Sequence, residues 1–295
     1  MALLARAGLP YSGGFTEVYG HRIHYLEHGP TDPAGQALAG DPPVILIHGA
    51  GPGCGQWFRQ IGALSKRRRV LALDSPLFGL SDLVPIDGHP TEIGARFLGG
   101  FMDALGLRRA DVVGLSLGGA VALKFAGRHP GRVRRLAAID SAGLGRALPL
   151  AWRLVLAPLL GAFLVKRGRS LRQMVFERYE VEHPEYPDAP FYMAYSLAVR
   201  SKRGRAAAYR LGMRLFATWR GQREVFSDRE LAEIRAPTLV VWGERDRVFP
   251  VRHGEHAARL IPDARLEVIP GAGHLSVWDA PERANDLLAG FLNRG

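Results

Sequence analysis

Asp111 to Phe125 reads DVVGLSLGGAVALKF, and no other stretch limits the fold as strongly. An apolar, β-branched run ends at Leu115, and a helix-compatible run starts at Leu117. Between them lies Gly114-Leu115-Ser116-Leu117-Gly118, a G-x-S-x-G pattern. A strand can pass directly into a helix here only through a sharp turn that holds the serine in a strained backbone conformation. Gly114, Gly118 and Gly119 leave room for close packing around it. Such a turn lifts the Ser116 hydroxyl clear of its surroundings. The helix that follows directs its first N–H groups at the same point, which favours developing negative charge. The plainer alternative is a serine that merely caps a helix.

The surrounding pattern agrees with a strand–turn–helix unit. Two strands over 15–19 and 22–27 form a hairpin, and a Gly/Pro-rich connection covers 29–43. Apolar strand runs follow over 44–47, 70–73, 111–115 and 133–139, and again over 238–242 and 265–269. Helical patterns separate or follow them over 91–105, 117–128, 251–260 and 281–293. Short, continuously apolar strands between helices imply an α/β fold: a mainly parallel sheet covered on both faces. The alternation stops between Gly143 and Pro237. Helical patterns at 150–165, 171–181, 191–200 and 206–219 fill that interval. The expected organisation is a core domain of 1–143 and 237–295, with a helical cap of 144–236 inserted between two strands.

Composition narrows the class. A chain of 295 residues with 47% apolar and 23% charged residues can bury a large core. A single cysteine excludes an internal disulfide framework and fits a reducing compartment. The N-terminal MALLARAGLPYSGG has too short an apolar run for a secretory signal, so a cytoplasmic location is expected. The formal charge is +11, and 15 Lys and Arg against 6 Asp and Glu lie between Arg146 and Glu224. No nucleic-acid motif accompanies this excess, so no nucleic-acid partner is expected and the charge reads as a solvated basic face. The 147–165 run, ALPLAWRLVLAPLLGAFLV, reads as a cap helix. A second reading gives it weak contact with a membrane surface, helped by Lys166, Arg167 and Arg169. Arg153, Pro149 and Pro158 argue against a true span.

Val44 to Trp57 reads VILIHGAGPGCGQW, a strand running into small residues. With Asp74 further on, it imitates a dinucleotide-binding unit. Cys54 stands where the final glycine or alanine of that fingerprint belongs, and no Lys-Ser/Thr pair makes a phosphate loop. Cys54 itself reads as a buried small apolar residue with no base beside it. No metal-ligand cluster shows in the spacing, and no metal or cofactor is expected.

A serine hydroxyl needs a base to become a nucleophile, and the base needs an orienting acid. The chain offers both after later strands. Asp246 follows the strand ending at Trp242, and His274 follows the strand ending at Ile269. Asp140, after the strand in LAAIDSAG, is a reserve acid, and Glu244 and Asp279 are weaker ones. Among ten histidines, His129 and His183 precede prolines, His256 lies inside a helix, and His48 reads as structural.

These marks resemble the α/β-hydrolase fold family over nearly the whole chain. The matching residues are His48-Gly49, the turn from Asp74 to Asp82, the serine turn, Trp242-Gly243-Glu244-Arg245-Asp246 and Gly273-His274. The resemblance implies a cap over the sheet and hydrolysis through a covalent serine intermediate, with a small-molecule substrate. It also implies an oxyanion hole from the backbone N–H groups of Ala50 and Leu117. Serine at 116, rather than aspartate, speaks against the dehalogenase and epoxide-hydrolase branches.

The broken bond stays open at this level. A serine hydrolase acting on a small, largely apolar carboxylic ester is the first reading. The second is carbon–carbon bond hydrolysis of a vinylogous diketone, because His48-Gly49-Ala50-Gly51-Pro52-Gly53 is similar to the H-G-x-G-P-G loop of hydrolases that cleave aromatic ring-fission products. Leu115 stands where those enzymes commonly carry Asn, Leu275 where they often carry Trp, and Arg59 near a further expected Asn. Cap arginines Arg200, Arg203 and Arg210 are candidates to hold a substrate carboxylate. A third reading is a hydrolase-fold ligand receptor with little turnover.

Overall fold

A computed structural model describes residues 12–30, 42–150, 180–183 and 205–293, with Arg153, Asp188 and Pro190 besides. An antiparallel hairpin, β1 (Ser12–Val18) and β2 (His21–His28), opens the described chain. Then come β3 (Val44–Ile47), α1 (Phe58–Leu64), β4 (Val70–Leu73), α2 (Pro90–Ala104), β5 (Ala110–Leu115), α3 (Leu117–Arg128) and β6 (Val133–Ile139). The later part supplies α4 (Arg205–Phe216), a small pair β7 (Ala217–Thr218) and β8 (Gly221–Gln222), α5 (Asp228–Ala232), β9 (Thr238–Gly243), α6 (Arg252–Leu260), β10 (Ala264–Ile269), α7 (Ser276–Asp279) and α8 (Pro281–Leu292).

Eight strands form one sheet in the order β1-β2-β4-β3-β5-β6-β9-β10. The six strands from β4 to β10 are parallel, and β2 joins β4 antiparallel. The chain steps from β3 to β4 on one side, then crosses to β5 on the other. Ligands in such sheets bind beyond the carboxyl ends of the strands at that reversal. The β3 and β5 ends meet there, with Ile47 registered against Gly114. The expected α/β sheet is therefore present, with apolar layers on both faces. One layer packs Phe97, Phe101, Leu123 and Phe125 from α2 and α3; the other packs Trp57, Phe58, Leu288 and Phe291.

Local chemistry sets the element ends. Pro90 starts α2, after His89 accepts the Thr91 N–H. Ser227 and Glu230 cap α5 reciprocally. Three short helices among the described residues were not expected: α1, with a single 3₁₀ turn before it at Cys54–Trp57, α5 and α7. The helix expected over 206–219 ends earlier, at Phe216, where the β7–β8 turn takes over. Most of the expected cap helices, and Arg200 and Arg203, lie outside the described residues. So does the 147–165 run beyond Leu150, apart from Arg153. Among the described residues no helix is long and apolar enough to cross a membrane.

At the opposite end of the sheet, a buried ionic cluster ties the strands to the last helix. Arg68 and Arg134 both donate to Asp111, Arg134 through two bonds of 2.8 and 2.7 Å. Both also reach the Leu292 carbonyl. Arg68 and Asp111 are buried, so removing one partner strands a charge at a cost of about 3–5 kcal/mol. Asp111→Ala is expected to lose that much unfolding free energy in urea titration. The double variant Arg68→Met/Asp111→Leu is expected to lose less, since it strands no charge of that pair.

Candidate active site

The turn at Ser116 is built as its sequence implies. Ser116 has φ 55° and ψ −116°, a positive-φ conformation unfavourable for a non-glycine residue. Three hydrogen bonds hold it: its N–H donates to Ile139, and its carbonyl accepts from Ala120 and Ala142. A Cβ on Gly118 would collide with the Ile47 and His48 carbonyls, so only glycine lets the start of α3 come up to the end of β3. Strain of this kind costs about 1–3 kcal/mol and persists where surrounding contacts dictate it.

His274 and Asp246 converge on that serine from two other loops. His274 Nε2 lies 3.0 Å from Ser116 Oγ, and His274 Nδ1 lies 2.9 Å from Asp246 Oδ2. The other Asp246 oxygen accepts the Val248 and Phe249 N–H groups at 2.7 and 2.8 Å. With Nδ1–H given to Asp246, Nε2 is left to accept the serine proton. Phe249 packs edge-on against the imidazole, ring centres 5.1 Å apart. Burial opposes a charged His274. The Asp246 charge and hydrogen bond outweigh it, and His274 sits above the ordinary imidazole range. Ser116 is only partly buried, so its hydroxyl stays reachable.

The loop after β3 closes the other side. A Cβ placed on Gly49 would lie 3.3 Å from the Ser116 Cβ, so Ala50 follows a residue packed on the serine. The Gly49 N–H donates to the buried Gln56 side chain at 2.7 Å. Gly51 and Gly53 take φ of 133° and 80°, which other residues rarely adopt. His48 is structural, as expected: its Nε2 accepts the Ser75 N–H at 2.9 Å.

Asp140 does something the sequence did not reveal. It does not stand in for the acid on His274; it joins the loops that carry acid and base. One oxygen accepts the Gly243 N–H at 2.8 Å, and the other meets the Ser276 N–H at 3.1 Å and Ser276 Oγ at 2.6 Å. Complete burial, aided by the Asp246 charge, pushes its pKa up to about 8. Asp279, another weaker acid candidate, instead accepts N–H groups from Gly273, Glu182 and His183. It thus ties the His274 loop to the described piece of the insertion. Glu244 accepts the Gly271 N–H.

Two further expectations are corrected. Cys54 was expected to lie without a base beside it, yet its Sγ is 3.9 Å from His24 Nδ1. No metal-ligand cluster was expected from spacing, yet folding gathers His24, Cys54 and Asp74. Asp74, which imitated a ribose-binding acid, accepts the Cys54 and Leu80 N–H groups and meets His24.

With fold and geometry in hand, comparison places the chain. Residues 42–281 match the family model described as the alpha/beta hydrolase fold, and the protein belongs to that family of hydrolases. Among individual relatives, it is 32% identical to 2-hydroxy-6-oxo-6-phenylhexa-2,4-dienoate hydrolase of Comamonas testosteroni, over 92% of this chain and 91% of that one. It matches the solved meta-cleavage product hydrolase of Pseudomonas fluorescens IP01 with a TM-score of 0.78 and 23% identity, over 95% of this chain and 97% of the other. A bacterial membrane phospholipase A structure matches with a TM-score of 0.78 and 27% identity, over 99% and 88%.

Asp140→Ala would leave the buried Gly243 and Ser276 N–H groups without their acceptor. At about 1–3 kcal/mol for each unmet group, a loss of about 2–6 kcal/mol is expected in chemical denaturation. Asp140→Asn, which keeps an acceptor oxygen, is expected to lose clearly less.

Proposed function

We propose that the protein is a carbon–carbon bond hydrolase acting on a vinylogous diketone of the ring-fission type, with Ser116 as nucleophile. The observation that carries this reading is the H-G-x-G-P-G loop, seated against a serine with His274 and Asp246 in hydrogen-bonded line. The named activity of the 32%-identical relative supports it and moves it ahead of the ester reading. In this scheme Ser116 Oγ adds to the substrate ketone while His274 takes the serine proton. Asp246 holds the imidazole and stabilises its charged form. The backbone N–H groups of Ala50 and Leu117 receive the developing oxyanion, each such donor contributing roughly 10²–10³ in rate. The bond between the attacked carbon and its neighbour then breaks. Its electron pair leaves as a delocalised dienolate, and a proton from His274 completes that product. Water, deprotonated by His274, releases the acyl group as a carboxylic acid. No cofactor enters the balance.

We assign the substrate's apolar end to a neighbouring crevice. Pro76, Leu77, Phe78, Ile86, Ile93 and Leu117 line a mainly apolar crevice beside the proposed oxyanion hole. We assign residues 144–236, most of whose inserted helices lie outside the described residues, as a cap domain. The membrane contact through its basic apolar stretch, like the small-molecule partner and the cytoplasmic location, stays a proposal.

A second reading, hydrolysis of an apolar ester, draws on Leu115 and Leu275, apolar where the ring-fission hydrolases commonly carry Asn and Trp. The 27%-identical phospholipase structure points the same way. Bleaching of a coloured 2-hydroxy-6-oxo-dienoate is expected to exceed turnover of short-chain aryl esters in kcat/KM. The reverse order would replace the carbon–carbon reading by the ester one. Stoichiometric binding without turnover of either would favour a receptor. Ser116→Ala is expected to lower kcat by about 10⁴-fold or more.

The rate should also carry the signature of His274. Only neutral imidazole can accept the serine proton, so kcat/KM is expected to rise with pH as His274 loses its proton. The midpoint should lie above the ordinary value of about 6.5. Asp246→Asn removes the main group that raises it. That variant is expected to shift the midpoint down and to cut the plateau by about 10⁴-fold. An unshifted midpoint would remove Asp246 from this role.

A further inference from the structure

We infer that His24, Cys54 and Asp74 form a binding site for a thiophilic divalent ion of the zinc class, separate from the serine site. The three come from different elements: β2, the 3₁₀ turn after the glycine loop, and the residue just past β4. Their ligand atoms all lie within 4.8 Å of one another. His24 Nδ1 is 2.8 Å from Asp74 Oδ2 and 3.9 Å from Cys54 Sγ. Ligand atoms on a tetrahedral zinc, at bond lengths of about 2.0–2.3 Å, are separated by roughly 3.3–3.8 Å. The two spacings from His24 Nδ1 need adjustments of about half an ångström, and the sulfur and carboxylate, within 4.8 Å of each other, close by up to about 1 Å.

The arrangement is a chelate, not a second catalytic relay. A nucleophile–histidine–acid relay uses opposite nitrogens of the ring. Here one nitrogen, Nδ1, faces both the thiol and the carboxylate, so sulfur, nitrogen and oxygen point to one place. Thiolate and imidazole donors select zinc or cadmium over magnesium or calcium.

The supporting bonds orient these ligands. Asp74 keeps its Leu80 and Cys54 N–H partners at 2.7 and 2.5 Å, which hold its carboxylate in place and ionised. Ser81 Oγ accepts the His24 N–H at 2.9 Å and donates to the Asp74 carbonyl at 2.6 Å, linking the strands that carry two ligands. Gly79 is required in the turn, because a Cβ there would overlap the Asp74 carboxylate. Such outer contacts are what hold ligands ready in metal sites. The His24 side chain is 13% exposed against 1% for Asp74, so the ion would enter past the imidazole. Binding converts the Cys54 thiol to thiolate and leaves the His24 ring neutral, with its proton on Nε2, so at least one proton is released per ion.

The test uses tag-free full-length protein, stripped with a chelator and dialysed. Cadmium titration should produce a thiolate-to-metal absorption band that saturates at one ion per chain. Cys54 is the only cysteine, so the band has one source. Zinc should compete the band away, Cys54→Ala should abolish it, and His24→Asn should weaken cadmium binding about 10–100-fold. Absence of the band in the wild-type protein, or a His24→Asn affinity equal to wild type, would overturn the assignment. The wild-type titration decides even if a variant fails to fold. Ser116→Ala should bind cadmium like wild type, which separates this site from the catalytic reading.

Discussion

The close approach of two backbones, α3 at Gly118 and the end of β3, is the constraint on which the rest depends. It forces the chain through Ser116 at a positive φ and brings the Gly49 loop onto the serine. A larger residue at 118 would push the helix away and take both effects with it. The site is therefore assembled by sheet topology: β3 and β5 are neighbours because the strand order reverses between β4 and β5. Their carboxyl ends bring the Gly49 loop and Ser116 against one another.

The other half of the site hangs on Asp140. Acid and base sit on separate loops after β9 and β10, and neither loop would fix the other by length alone. Asp140, itself at φ 44°, reaches both through Gly243 and Ser276. Gly243 and Gly273 add a close backbone approach that a Cβ on Gly243 would block. The 2.9 and 3.0 Å contacts of His274 thus rest on a buried carboxyl that touches neither Asp246 nor His274 by any described hydrogen bond.

Much of this was legible in the chain. Every sheet strand expected from an apolar run is present, displaced by at most a few residues at its ends, because buried parallel strands need continuous β-branched stretches. Ser116, Asp246 and His274 could be chosen because each follows a strand in the expected order. What escaped has physical reasons. The helix Phe58–Leu64 is short, has no side-chain cap and emerges from a glycine-rich loop, so neither periodicity nor a start signal announced it. Asp140 looked like a spare acid because its hydrogen-bond partners, Gly243 and Ser276, lie more than 100 residues away. His24, Cys54 and Asp74 are 20 to 50 residues apart, and only the pairing of β2 with β4 brings two of them together.

A strained serine driven by His274 reacts as a nucleophile with a fluorophosphonate, so the folded protein is treated with one and the added mass mapped. A single adduct on Ser116, lost in His274→Ala, is the expected result. A folded wild-type protein that takes up no label, or takes it up elsewhere, would contradict the account.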